Sequence, residues 1–70
     1  MFEFEEVLRK RIRSTRAMFY GLEVREGRGT GHVDLAHRLY WRGLLRDARN
    51  KHSKHARAME RVLIETVKDF

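Results

Sequence analysis

The sequence predicts an all-α fold: an antiparallel helical hairpin whose long second helix dimerises into a helical bundle. Three observations predict it. Apolar residues recur at steps of three and four along most of the chain, the spacing of a helix face. Proline is absent, and the one strong breaker is Glu26-Gly27-Arg28-Gly29-Thr30-Gly31. Seventy residues without cysteine make a single small domain, 1–70, that disulfides cannot staple, so helix packing or self-association must stabilise it.

The first helix is expected over residues 2–24. Phe4, Leu8, Ile12, Thr15, Phe19 and Leu22 share one face, widened by Val7 and Met18. Glu3, Glu5 and Glu6 complement the helix dipole, and Glu5–Arg9 and Glu6–Lys10 are i,i+4 pairs in the favourable orientation. Residues 25–32 form a glycine-rich turn. With no preceding strand and no βαβ unit, its glycines serve a turn rather than a phosphate loop.

The second helix is expected over residues 33–69, capped by Thr30 and with Asp34 in its first turn. Its seam reads Trp41, Leu45, Ala48, His52, His55, Met59 and Val62, with Leu63 beside it. Asn50 to Ser53 favour caps and turns, so a break there, giving three helices, is the alternative. The unbroken periodicity favours one continuous helix. At 1.5 Å per residue the two helices measure about 33 and about 55 Å. Beyond His55 the longer one keeps an apolar face with no partner in the chain, and an isologous homodimer through the seam residues would cover it.

Beside the seam runs a basic stripe: Arg38, Arg42, Arg46, Arg49, Ser53, Arg57 and Arg61. Like charges at i,i+4 weaken a helix by roughly 0.2–0.5 kcal/mol per pair, so folding alone does not ask for it. Gly43 costs about 1 kcal/mol relative to Ala in a helix interior and would admit a close partner beside the stripe. Tyr and Arg are enriched among interface hot spots. The expected partner-binding set is therefore Arg38, Tyr40, Arg42, Gly43, Arg46 and Arg49. A second cluster, Arg9, Arg13 and Arg16, is expected on the outer side of the first helix.

The net charge of +6 suits an acidic protein, a nucleic acid or another anionic surface. The bias toward arginine suits planar recognition, and it equally follows from a GC-rich genome. His52 and His55 are the best-spaced potential metal ligands, but no Cys or carboxylate joins them at ligand spacing, so no metal or other cofactor is expected. As seam residues they are expected to be buried and neutral, with depressed pKa values. The hydroxyl residues lack a His–carboxylate constellation, so neither an enzyme nor a small-molecule substrate is expected. No apolar run spans a bilayer, and the acidic start is unlike a secretory signal, so a cytoplasmic protein without membrane contact is expected.

A compact, Arg-rich, Cys-free helical hairpin resembles the small early proteins of bacteriophages that disarm host regulators. Those proteins bind bacterial transcriptional activators or the motor ATPases of surface pili and are not enzymes. The resemblance covers the whole chain in size and style, without an alignable motif, and carries no residue roles across. It implies a bacterial regulatory protein as partner. The alternative is a nucleic-acid-binding regulator that lays the stripe against phosphates. Against it stand ten acidic residues and the absence of a zinc-finger, RNP or basic-zipper signature.

Overall fold

The computed structural model describes residues 3–70, and these residues form three helices and no strand. They are α1 (Phe4–Arg25), α2 (Val33–Asn50) and α3 (Ala56–Thr66). Each helix packs on the other two. Phe2, where the first helix was expected to begin, lies outside the described residues.

The expected second helix, 33–69, is divided by a turn at 51–55, and the hydrogen bonds show why. His52 adopts the left-handed conformation, with φ of 54°. Its N–H donates to the Arg49 carbonyl at 3.0 Å, and the Ser53 N–H donates to the Ala48 carbonyl at 2.9 Å. This pair of bonds is a Schellman motif, which satisfies carbonyls that a helix end leaves unpaired. Helix α1 ends the same way at Gly27, φ 73°, with Gly27 N–H to Val24 O and Arg28 N–H to Glu23 O. The hydrophobic period survives the second break because α3 resumes with its apolar residues again facing the core.

The core consists of Leu8 and Ile12 from α1, Trp41 and Leu45 from α2, Val62 and Leu63 from α3, and Val67. Phe4, Leu44, Met59 and Phe70 pack at its margin. Folding α3 back removes the apolar overhang. Trp41, Leu45, Val62 and Leu63, expected to meet a second copy, are buried within one chain. Ala48 and Met59 are half-buried, and His52 and His55 are exposed. His55 stacks on Phe4 with centroids 4.3 Å apart. The seam is thus an intramolecular core, and the length mismatch from which a homodimer was inferred does not exist.

Two further expectations need correction. Thr30 does not cap α2 with its side chain; His32 holds the N-cap position, and the Thr30 backbone carbonyl accepts from Val33 N–H. Met18 and Leu22, assigned to the inner face of α1, are exposed, because α2 and α3 together cover only the Leu8–Ile12–Phe19 side.

Candidate partner-binding face

Most of the arginine stripe is engaged inside the chain. Arg38 lies 3.8 Å from the Asp69 carboxylate. Arg42 donates to the Phe70 carbonyl and stacks over its ring at 5.5 Å. Arg49 pairs with Glu60 on α3, and Arg61 with Glu5 on α1 at 2.9 Å. These contacts tie α3 and the segment after it to the other helices. Arg46 differs: its nearest acid is the adjacent Asp47 at 4.0 Å, and its side chain is 74% exposed.

Two of the three arginines in the α1 cluster are paired with acids from other helices, while Arg13 and Arg16 remain exposed. Arg9 pairs with Glu65 at 2.8 Å and Arg16 with Asp34 at 2.9 Å, and Arg13 has no acidic partner among the described residues. Cross-helix partners have displaced a local one: Glu65 meets Arg9 on α1 instead of Arg61 one turn back. The Arg9 guanidinium holds the Glu65 carboxyl below the usual range, and Arg16 does the same for Asp34.

The outer side of α2 exposes apolar side chains that folding has not used. Val33, His37, Trp41 and Leu45 face inward. Leu35 and Leu39, on the opposite side, are 49% and 57% exposed, and Tyr40 beside them is 46% exposed. The Tyr40 ring meets Phe19 of α1 edge-on at 5.6 Å. Next to this ridge lies a pocket of about 180 Å3, lined by Phe19, Leu22, Val33 and Ala36 with Glu23 and His32 at its end. No acid occurs between Asp34 and Asp47. Gly43 sits on the same side, and a Cβ there would meet only the Arg46 guanidinium, at 4.0 Å. Nothing inside the protein requires that glycine.

Of the expected partner-binding set, Gly43 and Arg46 lie on the side of α2 that carries Leu35 and Leu39, and Tyr40 stands at the margin of that side against Phe19. Arg38, Arg42 and Arg49 serve the fold. The two leucines belong to neither the apolar seam nor the charged stripe, so neither pattern marks them. Their i,i+4 spacing on the far side of a helix with a complete seam was the available signal.

Two polar groups were also missed. Glu23 is buried at the α1–α2 turn, where Arg28 holds it through two bonds of 2.9 and 2.6 Å and His32 lies at 2.9 Å. Arg28 keeps its carboxyl below the usual range. His37, not His52 or His55, is the buried histidine, at 3% exposure. Its Nε2 lies 3.0 Å from the Ile12 carbonyl and 3.1 Å from Trp41 Nε1. Burial pushes its pKa down, and the positive charge of Arg16 adds to that, while the Ile12 carbonyl and Asp34 oppose it. Extending the seam back from Trp41 by four and eight residues reaches His37 and Val33.

Among the described residues, no three His, Cys, Asp or Glu side chains gather as a metal site would require, and no helix is long and apolar enough to cross a membrane. No protein family, curated protein or solved structure matches the chain.

Proposed function

We propose that this protein is a small non-enzymatic module that binds, and inhibits or modulates, a bacterial regulatory protein such as a transcriptional activator. In this reading it acts in the cytoplasm, as its likeness in style to early phage proteins suggests. The contact is the outer face of α2. The partner segment is acidic and amphipathic: its apolar side chains cover Leu35, Leu39 and Tyr40, one of them entering the Phe19–Ala36 pocket, and its carboxylate meets Arg46. The observation that carries the proposal is the adjacency of exposed leucines to an arginine without a cross-helix partner, on a stretch of α2 that holds no acid between Asp34 and Asp47. A surface serving phosphates alone has no use for the leucines, whereas interface anchors are apolar groups rimmed by charge.

The test uses wild-type protein, Leu39→Glu and Arg46→Glu as baits in bacterial lysate. The expected result is a partner held by wild type and lost by both variants. Changing the partner's contacting acid to Lys then restores binding to Arg46→Glu. Capture that neither substitution alters overturns the proposal.

A nucleic-acid reading has its own supporting observation. Lys51, Lys54 and Arg57, at the turn between α2 and α3, have no acid within ion-pair distance among the described residues. A phosphate contact would use this corner, which holds Arg57 of the stripe, rather than the arginines of α2. Duplex binding that falls steeply with salt and is lost on reversing these three charges supports that reading over the first.

A further inference from the structure

A cleft of about 260 Å3 opens where α1, α2 and the segment after α3 meet. Buried Ile12 and Val67 give it an apolar wall. Arg13, Arg16, Asp34, His37, Thr66 and Lys68 supply the rest. Arg16 and Asp34 satisfy each other at 2.9 Å, with the Tyr20 hydroxyl 3.3 Å from the same carboxylate oxygen. The Thr66 hydroxyl donates to the Val62 carbonyl. Among the described residues Arg13 and Lys68 have no acid within ion-pair distance, although Lys68 acts on Asp34 at longer range, which leaves two unpaired cations at the rim.

His37 stands at this cleft with conflicting demands on one nitrogen. The Ile12 carbonyl needs an N–H from Nε2, while the Trp41 indole N–H needs a lone pair there. A neutral ring meets one demand and fails the other. The second nitrogen, Nδ1, has no hydrogen-bond partner in the protein, yet it is not sealed from solvent. An imidazolium also leaves the Trp41 N–H without a lone pair at Nε2, but it is the one form that both donates from Nε2 to the carbonyl and presents Nδ1–H for a further acceptor. Arg16 opposes that charge, Asp34, already committed to Arg16, offsets it only in part, and Arg13 and Lys68 line the same cleft. An anion in the cleft supplies both the acceptor and the missing negative charge.

We propose that this cleft binds a small organic anion. Its carboxylate or phosphate head lies between Arg13, Lys68 and the Nδ1–H of His37, and its short apolar body lies against Ile12 and Val67. Binding takes up one proton, which His37 holds. The volume lies below the usual range of pockets for drug-sized ligands, about 300–1,000 Å3, so a compact metabolite-sized ligand fits. The site is separate from the α2 face and does not depend on the protein-partner proposal.

The experiment titrates benzoate into the full chain, followed by side-chain and amide NMR and by calorimetry in two buffers of different ionisation enthalpy. Benzyl alcohol is the neutral control. The expected result is saturable shifts at His37, Thr66 and Lys68, with uptake of about one proton per site and binding several-fold tighter at about pH 6 than at about pH 8. The double variant Arg13→Glu/Lys68→Glu, changed at exposed positions, keeps its helical spectrum and binds at least about tenfold more weakly. Equal binding of benzyl alcohol, absence of proton uptake, shifts scattered over the exposed arginines, or unchanged binding by the double variant each overturns the proposal.

Discussion

Replacing His52 with alanine and with glycine tests the break between α2 and α3 directly, because the sign of the difference depends on the backbone at that residue. Inside a continuous helix, glycine is about 1 kcal/mol less stable than alanine. At φ 54° the order inverts. A side chain in the left-handed region costs roughly 1–2 kcal/mol, and glycine escapes that at an entropic cost of about 0.5–1 kcal/mol. His52→Gly should therefore exceed His52→Ala by about 0.5–1 kcal/mol. The His52 side chain is exposed and makes no hydrogen bond, so little else changes between the two variants. For a domain of this size 1 kcal/mol moves the melting temperature by about 4–8 °C, so the difference is readable by thermal circular dichroism. If the glycine variant melts below the alanine variant, the left-handed turn is refuted, and with it the three-helix arrangement.

Other substitutions carry their own signs. Gly27→Ala should destabilise by about 1 kcal/mol in urea unfolding: a Cβ there meets nothing, so the cost is the positive φ itself. Gly43→Ala should stabilise by about 0.5–1 kcal/mol in the same assay, and it should weaken partner binding if α2 is the contact face. Leu63→Ala empties a fully buried position at a cost of about 2–5 kcal/mol, comparable with the whole stability of a chain this short, so its circular dichroism at 25 °C should be largely that of an unfolded chain. His37 has a depressed folded pKa, so unfolding takes up a proton; stability should be flat above about pH 6.5 and fall below it until the folded value is passed. Denaturant midpoints between about pH 5 and 7.5 should show that slope, and His37→Gln should remove it.

The all-helical fold was legible because its signal is local. Leu8, Ile12, Trp41, Leu45, Val62 and Leu63 lie at helical spacing and all are buried. The break at His52 was hidden by arithmetic: the left-handed turn spans a number of residues that leaves Ala56, Met59 and Val62 in phase with Trp41 and Leu45. A pattern in phase reads the same whether the chain runs straight or folds back. The usual glycine was also missing from the stop position, its place taken by a histidine. The roles of the arginines were illegible for a different reason. Arg9 with Glu65 and Arg61 with Glu5 are each 56 residues apart, and such pairs exist only once α3 lies against α1.

The placement of the arginines also bears on the partner. Five acids, Glu5, Asp34, Glu60, Glu65 and Asp69, are each drawn to an arginine from another element. Each such pair joins two segments of a small domain, yet exposed pairs of this kind contribute little to stability one at a time. Their larger consequence is electrostatic. With those acids neutralised in place, the net +6 resides in cations that have no such acid, among them Arg13, Arg46, Lys51, Lys54, Arg57 and Lys68. Of these, Arg46 lies on the side of α2 that carries exposed leucines. A positive field over the surface speeds encounter with any anionic molecule and is screened by salt. It does not select among anions. In the proposed reading, selection on α2 falls to Leu35, Leu39 and Tyr40, which favour an acidic, amphipathic segment over bare phosphate. If that reading holds, raising salt should slow association of a partner at this face far more than it speeds dissociation, whereas Leu39→Glu should act on dissociation.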